Sequence, residues 1–502
     1  MVELTFLLLI KIAIFMKLSS FKNKKCELLL LGLVFLVGFT VRLYKFNGPI
    51  ADWHSWRQAD TSAVSRNFVS GGFDLLHPRF DDLSNVPSGI YDNPQGYRFV
   101  EFPIYNVLQA GGYELFPRLT IEEWGRMVTI FSSLLSALFL YLIVKKRFGR
   151  LSGFFTLIFF LFLPFNIYYS RVVLPDPSMV TASLAAIYFF GKWLEENSKL
   201  NFLNLVYFLL SLVCMIAALL LSPYALFFTL PIIYLVFEKY GIGFIAKWQL
   251  WVFGILAIIP LAFWRIWMLW YPAGIPQSSW LFNSNGIRFK PAFFYWLFGE
   301  RLSKLILGYF GVPLLILGIL TKYKKELLFA FSFLLSSLIY MTVIATGNVQ
   351  HDYYQILIIP SIAIFLGIGS AYLLSSFDTN KYLRFLVFLV CFIFTLFFGW
   401  YYIRDFYNIQ NSSIVTAGQA VDRLTPKDAK VIALYDGDTT FLYQTKREGW
   451  ASFEKDLPVM IKMGADYMVI ANPTTADLGF SKTYKVVVET NEYVIFNLRQ
   501  KP

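Results

Sequence analysis

Residues 27–60 read ELLLLGLVFLVGFTVRLYKFNGPIADWHSWRQAD. The run over 27–44 is apolar and of the length a helix needs to cross a bilayer core. The stretch over 51–60 then gathers Asp52, His54, Arg57, Gln58 and Asp60. A greasy span that empties into a dense polar cluster is read here as the junction between a membrane helix and a working loop. Everything else in the chain follows from that junction.

The composition agrees with a spanning protein. Of 502 residues, 57% are hydrophobic and 15% charged, and the mean hydropathy is +0.57. A soluble fold has no core large enough to hide that much apolar surface. After the first span, apolar runs centre near 127–144, 151–169, 178–194, 202–221, 223–238, 250–270, 304–320, 327–346, 353–374 and 385–403. The length rule turns these into about eleven spans. The net charge of +12 is read as a topology signal rather than as a nucleic-acid surface. Its Lys and Arg residues fall in alternate short connections: KKRFGR (145–150), KWLEENSK (192–199), EKYGIGFIAK (238–247), TKYKK (321–325) and NKYLR (380–384). Basic loops stay in the cytoplasm, so the long 46–122 loop and the tail are expected outside. The first fifteen residues resemble a signal segment without a cleavage site, and Met16 with the basic KLSSFKNKK leader is an equally good start.

From about residue 405 the pattern changes. VIALYDGD, ADYMVIAN, KVVVET and EYVIFNL read as strands, and SSIVTAGQAVDRL and EKDLPVMIKMG as helices. The expected fold class is an all-α polytopic membrane protein with a small C-terminal α/β extracytoplasmic domain. The body covers 1–404, including the 46–122 loop, and the outer domain covers 405–502. Cys26, Cys214 and Cys391 lie far apart in or beside apolar runs, with no ligand spacing, so neither a disulfide framework nor a cysteine metal site is expected.

The polar groups are where chemistry is expected. TSAVSRNFVSGG is read as an amphipathic helix lying along the membrane surface, with Ala63, Val64 and Phe68 on one side. Arg171, Asp176, Glu101, His351, Asp352, Tyr353 and Tyr354 all fall on the outer side in this topology. A carboxylate can take the proton from an attacking hydroxyl, and Arg and His can hold a departing phosphate. Asp52 or Asp60 is the candidate base. Arg57, Arg171 and His351 are candidates for the phosphate. His54, Gln58, Glu101, Tyr353 and Tyr354 would line the substrate. Each has a plainer competitor: Asp60 or Asp52 as a helix cap, Arg171 as an interfacial anchor, the tyrosines as an aromatic belt. The three histidines, His54, His77 and His351, have no metal-binding spacing, and neither a metal nor a cofactor is expected. Asn411-Ser412-Ser413 fits a glycosylation sequon.

HSWRQADTSAVSRNF (54–68), HPRFDD, EFPIYN, GRM, LPDP and HDYY together resemble the bacterial branch of the family-39-type glycosyltransferases. These are relatives of protein O-mannosyltransferases and of the aminoarabinose transferase of lipid A. WRQADT at 56–61 is the most specific of these matches. The resemblance runs from about residue 28 to 403, and the tail looks like the outer domain of the same branch. It implies a GT-C fold with its active site on the outer face, a polyprenyl-phosphate sugar as donor and inversion at the sugar carbon. It also implies a catalytic Asp just beyond the first span, a role that position carries to Asp52, with Asp60 second. The acceptor would be a protein hydroxyl, a lipid or a glycan. Two departures stand out. The loop lacks the Asp-Glu pair of the better-known relatives, and LLLSPYAL has Ser222 where many relatives have Lys. Phosphate binding then falls to Arg171, Arg57 and His351. The alternative class is a transporter or flippase of lipid-linked saccharides. It would need ionisable groups along a path and matched broken helices, whereas here the groups crowd one face. A non-catalytic surface receptor would leave the polar loop unexplained.

Overall fold

The structure is a computed structural model and describes residues 24–196, 202–321, 324–375 and 380–502. The expectations for the first fifteen residues, the Met16 start and most of the basic leader lie outside them. The helices used below are α1 (Lys24–Arg42), α2 (Ser55–Gly71), α3 (Ile104–Leu115), α4 (Ile121–Phe162), α5 (Pro164–Tyr169), α6 (Asp176–Glu196), α7 (Phe202–Leu221), α8 (Thr229–Tyr240), α9 (Trp248–Met268), α10 (Val312–Ile319), α11 (Lys324–Val343), α12 (Ile359–Ser375) and α13 (Lys381–Ile403). The tail adds α14 (Ser412–Leu424), β1 (Lys430–Leu434), α15 (Thr440–Thr445), β2 (Gly449–Trp450), α16 (Leu457–Lys462), β3 (Ala465–Ala471), β4 (Lys485–Glu489) and β5 (Tyr493–Asn497).

The chain divides into two compact units. One holds the residues up to Phe46 with Met127–Ala262 and Ser278–Asp405; the other holds Asn47–Arg126, Phe263–Gln277 and Phe406–Pro502. The first is the membrane unit. It makes this a multi-pass membrane protein: seven helical stretches among the described residues are long and apolar enough to cross a bilayer. The expected count of about eleven is met only in part, for local reasons. Helix α4 is two helices joined at Gly149, whose φ of 85° turns the chain back within KKRFGR. Only glycine takes that conformation without strain. The expected run over 304–320 is a π-helical stretch, Tyr295–Ile306, followed by the short α10. Helices α1 and α6 do form over the expected runs, but each carries charges at its ends.

Residues 352–371 are all buried, so this stretch runs through the middle of its unit. Glycines let it approach α10 closely. A Cβ on Gly318 would stand 2.0 Å from the Phe365 carbonyl oxygen, and one on Gly369 would stand 2.1 Å from that of Leu314. Small residues at such crossings allow backbones to touch, which is how membrane helices gain packing without a hydrophobic drive.

In the second unit the loop and the tail fold together. The sheet order is β2-β1-β3-β5-β4. Strand β1 pairs in parallel with β2 and β3, and β5 pairs antiparallel with β3 and β4. Alternation sends Ile432, Met468, Ile470, Val494 and Phe496 to one face and Val431, Ala433, Val469 and Ile495 to the other. The second face is covered by Ile414, Ala417 and Val421 of α14 and by Phe441 and Leu442 of α15. The first is covered in part by Leu83 from the long loop. That loop segment pairs along the β2 edge: Gly449 N–H donates to the Asp81 carbonyl at 2.9 Å, and Leu83 N–H to the Gly449 carbonyl at 2.8 Å. An edge left open would be a site for wrong pairing; here the loop closes it.

Candidate active site

Helix α2 begins one residue after His54, which takes a left-handed conformation with φ 55°. Trp53 fixes this corner by stacking on Phe406 at 4.8 Å between ring centres and by donating its N–H to the Phe406 carbonyl at 3.1 Å. Because the helix starts at Ser55, Asp60 lies inside it and caps nothing. The N-cap position falls to His54, which makes no side-chain cap. The expected membrane-surface helix is not amphipathic either. Ser55, Arg57, Gln58, Ala59, Asp60, Thr61, Ser62, Ala63, Val64, Ser65 and Phe68 are all buried, so both polar and apolar sides face protein.

A buried polar helix needs partners for its hydrogen-bonding groups, and α3 and α15 supply them. Asn106 of α3 donates to the Thr61 carbonyl at 2.7 Å and Gln109 to Ser62 Oγ at 3.0 Å, while Ser65 donates to Gln109 Oε1 at 2.8 Å. From α15, Thr440 donates to Ser55 Oγ at 3.0 Å and Tyr443 to Ser62 Oγ at 3.0 Å. The Arg66 guanidinium lies 4.3 Å from the centre of the Tyr443 ring and pairs with Asp81.

The carboxylates are held differently. Asp52, 3% exposed, accepts from Gln58 Nε2 at 2.8 Å, a neutral donor. Asp60, 4% exposed, accepts from Arg98 Nη2 at 2.7 Å and from Thr439 Oγ1 at 2.6 Å. Arg57 places one nitrogen 2.7 and 2.9 Å from the two oxygens of Glu101. Arg57, Asp60, Thr61, Arg98, Glu101 and Asn106 line a cleft of about 20 Å³, room for one water and no more. In the same unit, burial pushes Asp82 up to about 7, although Ser84 donates to it from both its N–H and its hydroxyl. Burial likewise raises Asp438, despite a 2.7 Å bond from the Thr440 N–H.

The remaining candidates belong to the membrane unit. Arg171, 1% exposed, donates to the carbonyls of Tyr44 and Lys45 at 3.2 and 2.9 Å. Those two carbonyls lie in the turn just after α1. His351 packs edge-on to Trp280 and beside Tyr353 and Tyr354, whose rings are 4.6 Å apart. Both tyrosines are buried, which removes them from an exposed aromatic belt. Asp352 accepts from Tyr169 and lies 3.8 Å from Arg301. So Asp52, His54, Arg57, Gln58, Asp60 and Glu101 gather in one unit, and Arg171, His351, Tyr353 and Tyr354 in the other. Sequence reading missed Arg98, Thr439 and Arg301. Arg98 sits in the loop three residues before Glu101, but nothing in YRFVEF says which acid it faces. Among the described residues, no group of three His, Cys, Asp or Glu side chains is arranged to hold a metal.

The fold has relatives. Residues 100–267 match the family model for dolichyl-phosphate-mannose-protein mannosyltransferases. ArnT from Cupriavidus metallidurans, solved bound to undecaprenyl phosphate, superposes with a TM-score of 0.65 at 14% identity, over 94% of this chain and 98% of that one. The chain has the GT-C fold. Archaeal AglB from Archaeoglobus fulgidus, an oligosaccharyltransferase solved with an inhibitory peptide and a dolichol-phosphate, shares the GT-C fold with it at TM-score 0.59 and 10% identity, over 95% of this chain and 75% of that one. The mycobacterial arabinofuranosyltransferase AftD matches at TM-score 0.57 and 10% identity, over 96% of this chain and 42% of that one. No curated protein sequence matches. The chain is thus a membrane protein with the GT-C fold, and its residues 100–267 resemble the mannosyltransferase family.

Proposed function

We propose that this GT-C chain transfers a sugar from a polyprenyl phosphate to an acceptor hydroxyl outside the cytoplasm, with inversion at the sugar carbon. The observation that carries the reading is the buried polar helix α2 that follows the first span, with Asp52 at its foot. Ionisable groups this costly to bury tend to be kept for function. Undecaprenyl phosphate in ArnT and dolichol-phosphate in AglB support a lipid-phosphate donor, and the peptide in AglB supports an extended acceptor.

In this reading Asp52 takes the proton of the acceptor hydroxyl as its oxygen attacks the sugar carbon. The bond from that carbon to the phosphate oxygen breaks, and the lipid phosphate leaves with its electron pair. Cations fixed beside the leaving group stabilise the charge that develops there, and in such sites this electrostatic effect usually outweighs the others. Arg57, in the same unit as Asp52, is the candidate there. Asp52 is preferred over Asp60 for its position just past the first span. Asp60 is ion-paired with Arg98, so a proton taken there would leave a buried guanidinium without its counter-charge. A phosphate at Arg57 Nη2 would compete with the Glu101 carboxylate. The test is to incubate purified protein with a panel of polyprenyl-phosphate sugars and follow which headgroup is consumed. Consumption of none, by protein that still binds the lipid phosphates, would remove the transferase reading.

A further inference from the structure

The membrane unit contains a cavity of about 300 Å³ lined by α4, α6, α8 and α11. It lies at the helix ends that adjoin four of the basic connections: 145–150, 192–199, 238–247 and 321–325. Its lining is apolar at the floor, with Leu142, Ile187, Gly191 and Leu235, and charged at the rim. The rim carries four cations, Lys146, Arg147, Lys192 and Lys239, against two carboxylates, Glu195 and Glu238. The carboxylates are engaged. Glu238 takes a two-pronged pair from Arg147 at 2.9 and 2.6 Å, and Glu195 pairs with Lys146 and faces Lys192 at 4.0 Å. Two positive charges remain in excess. The Arg147 guanidinium also stands 4.2 Å from the centre of the Phe329 ring, which holds its charge at the cavity wall. Helix α6 runs from Asp176, near Arg171, to this rim, and its 21 residues span roughly 30 Å. The cavity therefore lies at the far end of this helix from Arg171.

The geometry points to a binding site for an anionic phospholipid at the end of the bundle that the charge bias assigns to the cytoplasm. Its phosphate would be held by Lys239, Lys192 and the Arg147 edge, and its acyl chains would lie over the apolar floor. A hollow with an oily base and a net-positive rim at headgroup level fits that chemistry, and basic pockets between membrane helices are suited to anionic headgroups. A soluble phosphate ester shares the headgroup chemistry but gains nothing from Leu142, Ile187 and Leu235.

Gly191 gives a clean handle. A Cβ there meets only Leu235 Cδ1, at an ordinary 3.7 Å, so G191A fits and a larger side chain fills the hollow without removing a charge. The experiment is native mass spectrometry of the full chain after exchange into nanodiscs of mixed phosphatidylglycerol and phosphatidylcholine, with glycerol 3-phosphate as soluble competitor. Wild type and G191A should retain phosphatidylglycerol preferentially. G191L should lose that preference, and K239Q should weaken it about fivefold. Equal retention of both lipids by wild type, or undiminished phosphatidylglycerol retention by a folded G191L, would overturn the site. Displacement by glycerol 3-phosphate at equal affinity would overturn the lipid assignment.

Discussion

Asp60 has both carboxylate oxygens engaged, one by Thr439 and one by Arg98. Asp52 and Asp60 are therefore expected to answer differently to the same substitution. D52N should lower transfer about a hundredfold or more, as loss of a general base does, with thermal unfolding unchanged. D60N leaves Arg98 buried beside a neutral amide and should cost about 3 kcal/mol of stability, read as a fall in unfolding temperature of the purified protein. A D52N variant with full turnover would move the base elsewhere. Asp82 gives a pH signature. Its folded pKa of about 7 stands above the ordinary 3.8 because burial penalises the charge. The fold thus favours the protonated form. That contribution is complete below the ordinary value and disappears as pH climbs through about 7, a loss of at most about 4 kcal/mol. Wild type should unfold at lower temperature at pH 8 than at pH 5, and D82N should flatten the difference.

Among the elements, the α10–α12 crossing and helix α2 illustrate two different kinds of dependence on sequence. The crossing depends on hydrogen at two Cα positions. G318V would drive a side chain into the Phe365 carbonyl and should convert the protein to aggregate on size exclusion, while G32V, with no neighbour within 4 Å, should not. Much of the element pattern was legible. SSIVTAGQAVDRL is helix α14 over the same residues, and the four apolar strand runs are β1, β3, β4 and β5. Those segments show their period because one side is buried and the other is not. Helix α2 departs from the expected membrane-surface helix because residues 57–65 are all buried, so Ala63, Val64 and Phe68 are one side of a buried helix whose polar groups α3 and α15 satisfy. The candidate site was legible in part for a similar reason. The cluster 52–60 announces itself by density, but the partner of each charge comes from far along the chain, as Thr439 does for Asp60.

At the scale of the molecule, the long loop and the tail share one fold. Leu83 lies in the same core as Ile432, Trp450 and Phe496, and Asp81 and Leu83 take the backbone bonds of Gly449. Removing residues 406–502 should therefore leave the membrane helices inserted but open the 47–126 segment to protease, read as new cleavage sites in that segment on limited proteolysis. A loop that stays resistant would mean it folds unaided. The same pairing orders the birth of the protein. Asn85 N–H bonds the Glu454 carboxylate across 369 residues of chain, so the loop leaves the ribosome long before its counterpart is translated. Until the last strands emerge, the residues around Asp52 wait without a scaffold. A nascent chain halted before them would carry every component of the proposed chemistry and none of its alignment.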